Sequence, residues 1–207
     1  MRYLFSIAIL FVIACGFSER GNKERSSPII GFDSTKVTEH NTNTYAWLKV
    51  YEEKNSIFFR LLPTEGYNRK MLEKGSFGDW LRFVELKEGT SEVHLYNGGL
   101  KNDQSVHYAV INMDVGNKDL QQCADAVMRL RAEYLFSVKK YDQIHFNYTS
   151  GDKVSFTDWY NGRRPVIKGS KVMFLTDGKK VKPTYQVFRE YMDNIFNYCS
   201  FHIDFSI

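Results

Sequence analysis

Residues 119–135 read DLQQCADAVMRLRAEYL, and this stretch predicts the principal helix of the fold. Asp119 is expected to cap the helix, with Gln122 at the third helical position bonding back to a free amide. Asp125, Arg129 and Glu133 follow at four-residue spacing and are expected to pair with one another on one face. An apolar stripe on another face recurs every three or four residues and is expected to enter the core: Leu120, Cys123, Val127, Leu130 and Tyr134.

The segments on either side of this helix predict further helices and strands. Residues 184–199 have the period of a second long helix, and Ser76 is a candidate cap for a short helix over 76–82. The expected buried side of the second long helix is Phe188, Met192, Ile195 and Cys199. Strands are expected at 56–62, 93–96, 107–115, 143–149, 171–175 and 202–206.

Helices and strands do not alternate regularly along the chain, so the fold class is expected to be α+β. We expect a single domain over residues 29–207, with a mixed or antiparallel sheet packed with two long helices. A papain-like arrangement, as in the NlpC/P60 enzymes, is one form that such a domain takes, and the sequence leaves the architecture open beyond its class.

The composition is that of a folded protein with a substantial core. Of 207 residues, 43% are hydrophobic and 15% are aromatic, while only four are prolines. These proportions exclude a disordered or fibrous chain. The formal net charge is +4, from 28 basic and 24 acidic residues. With such a balance of charges the sequence lacks the excess of basic residues that is typical of nucleic-acid-binding proteins, so nucleic acid is not expected as a partner.

The first fifteen residues predict export and attachment to a membrane. Arg2 precedes a nearly continuous apolar run over residues 3–14, which is shorter than the roughly 20 residues that a membrane-spanning helix needs. The run ends in VIAC at 12–15, which resembles the lipobox of bacterial lipoproteins, and the resemblance implies that Cys15 becomes the lipidated N-terminus. Polar residues 16–28 are expected to form a tether. The alternatives are an ordinary cleaved signal peptide and a buried N-terminal helix.

Several segments together resemble a known family. They read SFGDWLR at 76–82, VHLYNG at 93–98 and HFNYTSG at 145–151, and the helix at 119–135 is the most specific of them. Over about residues 57–198 the chain resembles the Bacteroides-type envelope lipoproteins that are grouped as domain of unknown function 4846. The resemblance implies a lipid-anchored protein of the cell envelope, on the periplasmic or the surface face of the outer membrane, and it implies no particular reaction.

One group of residues has the chemistry of a catalytic site. Cys123 lies in the first turn of the predicted helix, where the helix dipole favours a thiolate, and His145 on the next strand could act as its base. Asn147 could orient the imidazole. Gln122 and Cys123 at a helix start also resemble the CHAP and NlpC/P60 cell-wall peptidases, which implies cleavage of peptidoglycan peptides. The alternatives are a buried thiol on the core stripe and a disulfide with Cys199.

Residues 149–165, TSGDKVSFTDWYNGRRP, predict a recognition loop. Exposed Trp159 and Tyr160 would stack on sugar faces, while Arg163 and Arg164 would pair with the carboxylates of peptide stems or acidic glycans. The alternative is a loop that is anchored by Trp159 as a plug in the core.

No metal site and no cofactor are predicted, because the histidines lack the spacing of zinc ligands. The carboxylates around the principal helix favour ion pairs over the acid and base of a glycosidase. We therefore expect a membrane-anchored envelope module that binds a glycan, peptidoglycan or a protein partner. The rival expectation is a cysteine hydrolase that cleaves cell-wall peptides through Cys123.

Overall fold

A computed structural model describes residues 44–169, 171–176 and 179–199. The helices in these residues are Ile57–Arg60 (α1), Phe77–Arg82 (α2), Cys123–Ser137 (α3), Phe156–Tyr160 (α4) and Tyr185–Tyr198 (α5). The strands are His145–Asn147 (β1), Lys153–Ser155 (β2), Arg163–Lys168 (β3) and Lys171–Thr176 (β4). Short 3₁₀ turns occur at Glu53–Asn55 and Tyr141–Gln143. The signal segment with Cys15, the tether at 16–28 and the predicted strand at 202–206 lie outside the described residues.

The strands form two separate antiparallel hairpins. β1 pairs with β2 over three residues, and β3 pairs with β4 over six. The strand predicted at 171–175 is confirmed as β4, while the one predicted at 143–149 is confirmed only over its central three residues. Helices combined with small antiparallel sheets confirm the α+β class.

The principal helix is confirmed as α3, but it begins later than predicted. Its N-cap is Gln122 rather than Asp119. The Asp125 carboxylate accepts a hydrogen bond from the backbone N–H of Gln122 at 2.9 Å. Because Asp125 closes a capping box with Gln122, a free amide at the helix start is satisfied one turn beyond the predicted cap.

The buried side of α3 also differs from the prediction. Cys123 and Val127 are exposed, so their expected place on the core stripe is wrong. Arg129 and Glu133, which were expected to pair on a different face from the apolar stripe, are almost completely buried. The helix is therefore rotated about its axis relative to the prediction, with these apolar members still in the core: Leu130 and Tyr134.

The second long helix is confirmed as α5. The hydroxyl of Thr184 accepts a hydrogen bond from the backbone N–H of Val187 at 3.3 Å and so caps the helix. Cys199 at the other end is half-buried rather than fully buried. The remaining predicted core positions are fully buried: Phe188, Met192 and Ile195.

The strand predicted at 56–62 is wrong, since residues 57–60 form α1. The backbone N–H of Arg60 donates to the carbonyl of Ser56 at 3.0 Å, and that of Leu61 donates to Ile57 at 3.0 Å. These bonds within the segment satisfy the backbone without a long neighbouring strand. Sheet pairing here is limited to one isolated bridge between Ser56 and Glu85.

Two further predicted strands are reduced to isolated bridges. Within 93–96 only His94 is bridged, to Leu100, and within 107–115 only Ile111 is bridged, to Leu86. The short helix predicted at 76–82 is confirmed as α2. The Ser76 hydroxyl caps this helix, as predicted. Turns, rather than strands, therefore connect α2 to α3.

The helix α3 joins two clusters of aromatic side chains within one core. The ring of Tyr134 lies 5.9 Å from that of Trp80, in a cluster with Tyr45, Trp47 and Phe77. The ring of Phe136 lies 4.6 Å from that of Phe188. This second cluster also contains Tyr141, Phe156 and Tyr191. Because Tyr134 and Phe136 are two residues apart on α3, they point to different sides of the helix.

Candidate functional site

An open cleft of about 460 Å³ lies beside the β1–β2 hairpin and α4. The residues that line it are all polar or charged and carry both signs of charge, and we call it the polar cleft: Asp142, Lys153, Ser155, Thr157, Asp158 and Arg163. Two cations, two carboxylates and two hydroxyls thus face one volume. Such a set offers hydrogen-bond donors and acceptors to a polar ligand.

The start of α4 fixes one side of the polar cleft. The Ser155 hydroxyl accepts a hydrogen bond from the backbone N–H of Asp158 at 3.0 Å, and this bond caps the helix. The Asp158 carboxylate in turn accepts from Nη1 of Arg163 at 2.7 Å. Capping holds Asp158 in place, and Asp158 orients Arg163 towards the cleft.

Arg163 is held on its other side by an aromatic ring. Its guanidinium carbon lies 4.0 Å from the ring centroid of Phe174 on β4. The side chain is 44% exposed, and that of Asp158 is 39% exposed, so water screens the ion pair and keeps it weak. A ligand carboxylate can therefore exchange with Asp158 on a guanidinium that is already positioned.

Two residues predicted for catalysis lie next to the polar cleft. His145 is directly opposite Ser155 in the β1–β2 register, and Asn147 is directly opposite Lys153. Opposed residues of an antiparallel pair share one face of the sheet, with Cβ atoms about 5 Å apart. His145 and Asn147 are both exposed on this face. The hairpin therefore brings two sequence-predicted residues to the edge of the cleft that contains Arg163.

Cys123 is the first residue of α3, and it is exposed there rather than buried in the core. Cys199 is half-buried at the end of α5, and burial, with a smaller contribution from Asp125, raises the pKa of its thiol to about 12. Both thiols are free, so the disulfide alternative is wrong. The catalytic role of Cys123 with His145 and Asn147 stays a prediction.

The predicted recognition loop is largely regular structure, and its tryptophan is buried. Trp159 lies on α4, is 9% exposed, and packs its ring edge-on to Tyr191 at 5.7 Å. Arg164 covers the Trp159 ring at 4.0 Å. Tyr160 is half-buried, with its ring 5.3 Å from Phe156. Of the four predicted binding residues, only Arg163 lines the polar cleft.

A buried group of polar side chains connects α3 to α5, and the sequence analysis predicted only the pairing of Arg129 with Glu133 within it. Nε of Arg129 lies 3.3 Å from Oε1 of Glu133, and the Tyr185 hydroxyl donates to the same oxygen at 2.9 Å. Arg129 also lies 3.3 Å from the Asp114 carboxylate. The spacing of Arg129 and Glu133 predicted their pairing, but no local signal indicated that the pair is buried.

Burial shapes the ionisation of this group. Burial raises the pKa of Glu133, and the nearby Arg129 only partly offsets the rise. Burial also raises the pKa of Tyr185, and the Glu133 carboxylate adds to that rise. Burial raises the pKa of Asp114 as well, but Arg129 and Arg189 outweigh it and keep the pKa below its ordinary value. The group connects α3, α5 and the segment before α3.

Among the described residues, no three His, Cys, Asp or Glu side chains are grouped so that they could hold a metal ion. In the same part of the chain, no helix combines the length and the apolar character needed to cross a membrane.

Comparison with known proteins gives one match. A family model described as "Domain of unknown function (4846)" matches residues 57–203, which is more than two thirds of the chain. No curated protein and no solved structure matches the chain. The matched range contains α1 to α5 and the whole polar cleft.

Proposed function

Because the chain belongs to the family described as domain of unknown function 4846, whose description assigns no reaction, we propose a function from the geometry of the polar cleft. The protein is a non-catalytic binding module of the cell envelope, and its ligand is a peptidoglycan or glycan segment that carries carboxylates. The observation that carries this proposal is the exposed pair of cations, Lys153 and Arg163, beside hydroxyls in one open cleft.

The ligand chemistry follows from the lining. Arg163 is preoriented by Asp158 and Phe174, so it offers a fixed fork to a carboxylate. Ser155 and Thr157 supply hydroxyls that suit the alcohols and amides of glycans and peptide stems. An envelope protein partner remains a second class of ligand for the same lining.

A pull-down with purified peptidoglycan tests the site. We expect Lys153→Ala combined with Arg163→Ala to abolish retention, because both cations of the cleft are removed. The matched control is Lys139→Ala with Lys140→Ala, which removes two exposed lysines outside the cleft. Full retention of the cleft variant would show that the ligand binds elsewhere.

We also propose that the protein is attached to the envelope membrane through a lipid on Cys15. The support is the sequence at 12–15, which lies outside the described residues. Metabolic labelling with a fatty-acid analogue should label the wild type and not Cys15→Ser. Equal labelling of both would exclude Cys15 as the lipidated residue.

The second candidate function is a cysteine hydrolase that acts on cell-wall peptides or amides. The observation that favours it is the exposure of Cys123 at the start of a fifteen-residue helix, where a reagent or substrate can reach the thiol. Under this candidate, the folded protein is alkylated quickly at Cys123 near neutral pH, and His145→Ala slows the reaction. Slow alkylation that is unaffected by His145→Ala would exclude it.

A further inference from the structure

One face of the β3–β4 hairpin is exposed towards its tip, while Arg164 at the other end of the same face covers the ring of Trp159. Side chains alternate between the two faces of a strand, and Val172 and Phe174 on the inner face pack against the core. The opposite face, which we call the outer face, is defined by the register Val166–Met173, Lys168–Lys171 and Arg164–Leu175.

The outer face is cationic at its tip. Lys168 lies directly opposite Lys171, and both are exposed. Like charges in directly opposed positions destabilise a strand pair. Within the described residues neither lysine forms an ion pair. An anion that binds at the tip would relieve the repulsion between these two ammonium groups.

The basic character extends through the neighbouring sequence. Residues 163–182 contain seven basic side chains and a single acidic one. This stretch of twenty residues therefore has a net charge of +6, which exceeds the +4 of the whole chain. β3 and β4 themselves contain no acidic residue. The hairpin thus belongs to a strongly basic segment of the chain.

Exposed aliphatic side chains lie next to the lysine pair. Met173 is 38% exposed and Leu175 is 53% exposed, and Val166 is opposite Met173. An anionic glycan would pair with the lysines and leave Met173 and Leu175 in water. A phospholipid surface matches both features, because lysines reach the headgroups while neighbouring apolar side chains enter the interface.

We propose that the outer face of the β3–β4 hairpin binds an anionic phospholipid surface. Lys168 and Lys171 contact the phosphate headgroups, and Met173 and Leu175 enter the boundary with the acyl chains. This contact is separate from the polar cleft, since none of these four residues lines it. It is also independent of a lipid on Cys15, so it orients the domain on the membrane rather than only tethering it.

Vesicle co-sedimentation of the full chain tests this contact. All proteins carry Cys15→Ser, including the reference that we call wild type in this experiment, so their N-terminal segments are identical and unacylated. Each is measured with vesicles of phosphatidylcholine alone and with vesicles that also contain phosphatidylglycerol. The ratio of the two partition coefficients isolates the charge-dependent part of binding, and it should fall as added salt screens the charges.

We expect Lys168→Glu with Lys171→Glu to lower this ratio by about thirtyfold or more, since each basic residue near an anionic leaflet contributes several-fold to binding. Met173→Ser with Leu175→Ser should weaken binding to the anionic vesicles with the charge unchanged. The matched control, Lys70→Glu with Lys74→Glu, reverses two exposed lysines in the segment before α2 and should keep the wild-type ratio. Circular dichroism verifies folding, and Lys168→Gln with Lys171→Gln replaces the reversed variant if that variant unfolds.

The proposal is overturned if the reversed or neutralised tip keeps the wild-type ratio, or if the control loses as much as the tip variant. It is also overturned if Met173→Ser with Leu175→Ser binds anionic vesicles as the wild type does. Loss of peptidoglycan retention by the tip variant, with vesicle binding intact, would identify an anionic glycan as the partner of the hairpin instead. Because Lys153 and Arg163 are unchanged in every variant, failure here leaves the proposed cleft function standing.

Discussion

The structure changes the interpretation of Trp159 from a ligand contact to a core residue. Its place among Gly, Asp and Arg residues favoured sugar stacking, yet its ring packs on Tyr191 beneath Arg164. We expect Trp159→Ala to lower the free energy of unfolding by about 3–5 kcal/mol, the cost of emptying a large aromatic site in a core. Urea denaturation measures the change, with Arg163→Ala as a neighbouring surface control. A variant as stable as the wild type would return Trp159 to the candidate ligand contacts.

The buried Arg129–Glu133 pair makes a different kind of prediction. Arg129→Met leaves Glu133 buried without its cation, and breaking such a pair costs about 3–5 kcal/mol. Burial already raises the pKa of Glu133, and removal of Arg129 raises it further. A carboxyl whose pKa is raised by folding contributes stability below its unfolded pKa and loses it as pH rises through the folded pKa.

The destabilisation by Arg129→Met should therefore be larger at pH 7 than at about pH 4, where Glu133 is protonated. Asp114 loses the same cationic partner, and its contribution has the same sign. Urea denaturation at both pH values checks the difference. An equal destabilisation at the two pH values would mean that Glu133 is not the residue left without a partner.

At the scale of elements, two residues of α3 that were both predicted to be buried differ in their exposure. Leu130 is 8% exposed and Val127 is 46% exposed, although both belong to the predicted apolar stripe. We expect Leu130→Ala to lower the free energy of unfolding by about 2–5 kcal/mol. Val127→Ala, on the same helix, should change it by about 0.5 kcal/mol or less. Similar losses for both variants in thermal unfolding would favour the predicted stripe over the observed one.

The sequence predicted the existence of elements better than their orientation. The period of apolar residues was sufficient for α5, because a long amphipathic helix leaves a repeated signal and most of its expected positions are buried. For α3 the period indicated a helix but not its buried side, since Cys123 and Val127 are exposed. The face of α3 was not predictable, because burial of Arg129 depends on Tyr185, whose hydroxyl bonds Glu133 from 52 residues further along the chain. The run at 56–62 was misleading, since α1 is too short to show a helical period.

The residues of the candidate site also divide into those that the sequence predicted and those that it did not. Clustering of charged and aromatic residues pointed to Arg163, which does line the polar cleft. Lys153 and Asp142 were missed, because their approach to Arg163 depends on hairpin and turn geometry rather than on spacing. The basic outer face of the β3–β4 hairpin was not predicted, because the charge of the whole chain is nearly balanced. The strand register, which the sequence does not show, places Lys168 opposite Lys171.

For the whole molecule, α3 links the two aromatic clusters through Tyr134 and Phe136. Since loss of α3 removes contacts from both clusters, we expect the domain to unfold in one cooperative transition. The midpoints from far-ultraviolet circular dichroism, which reports helices, and near-ultraviolet circular dichroism, which reports aromatic packing, should coincide. Two separate midpoints would show that the clusters belong to independently unfolding units.

The contact between Arg164 and Trp159 has a spectroscopic consequence. Arg164 belongs to the outer face of the hairpin, and its guanidinium carbon lies 4.0 Å from the Trp159 ring, where a positive charge acts on the π electrons. Trp47 and Trp80 lie in the other aromatic cluster, away from this cation. The fluorescence emission of Trp159 therefore reports on the position of the hairpin. The emission of Trp47 and Trp80 provides a constant background for this signal.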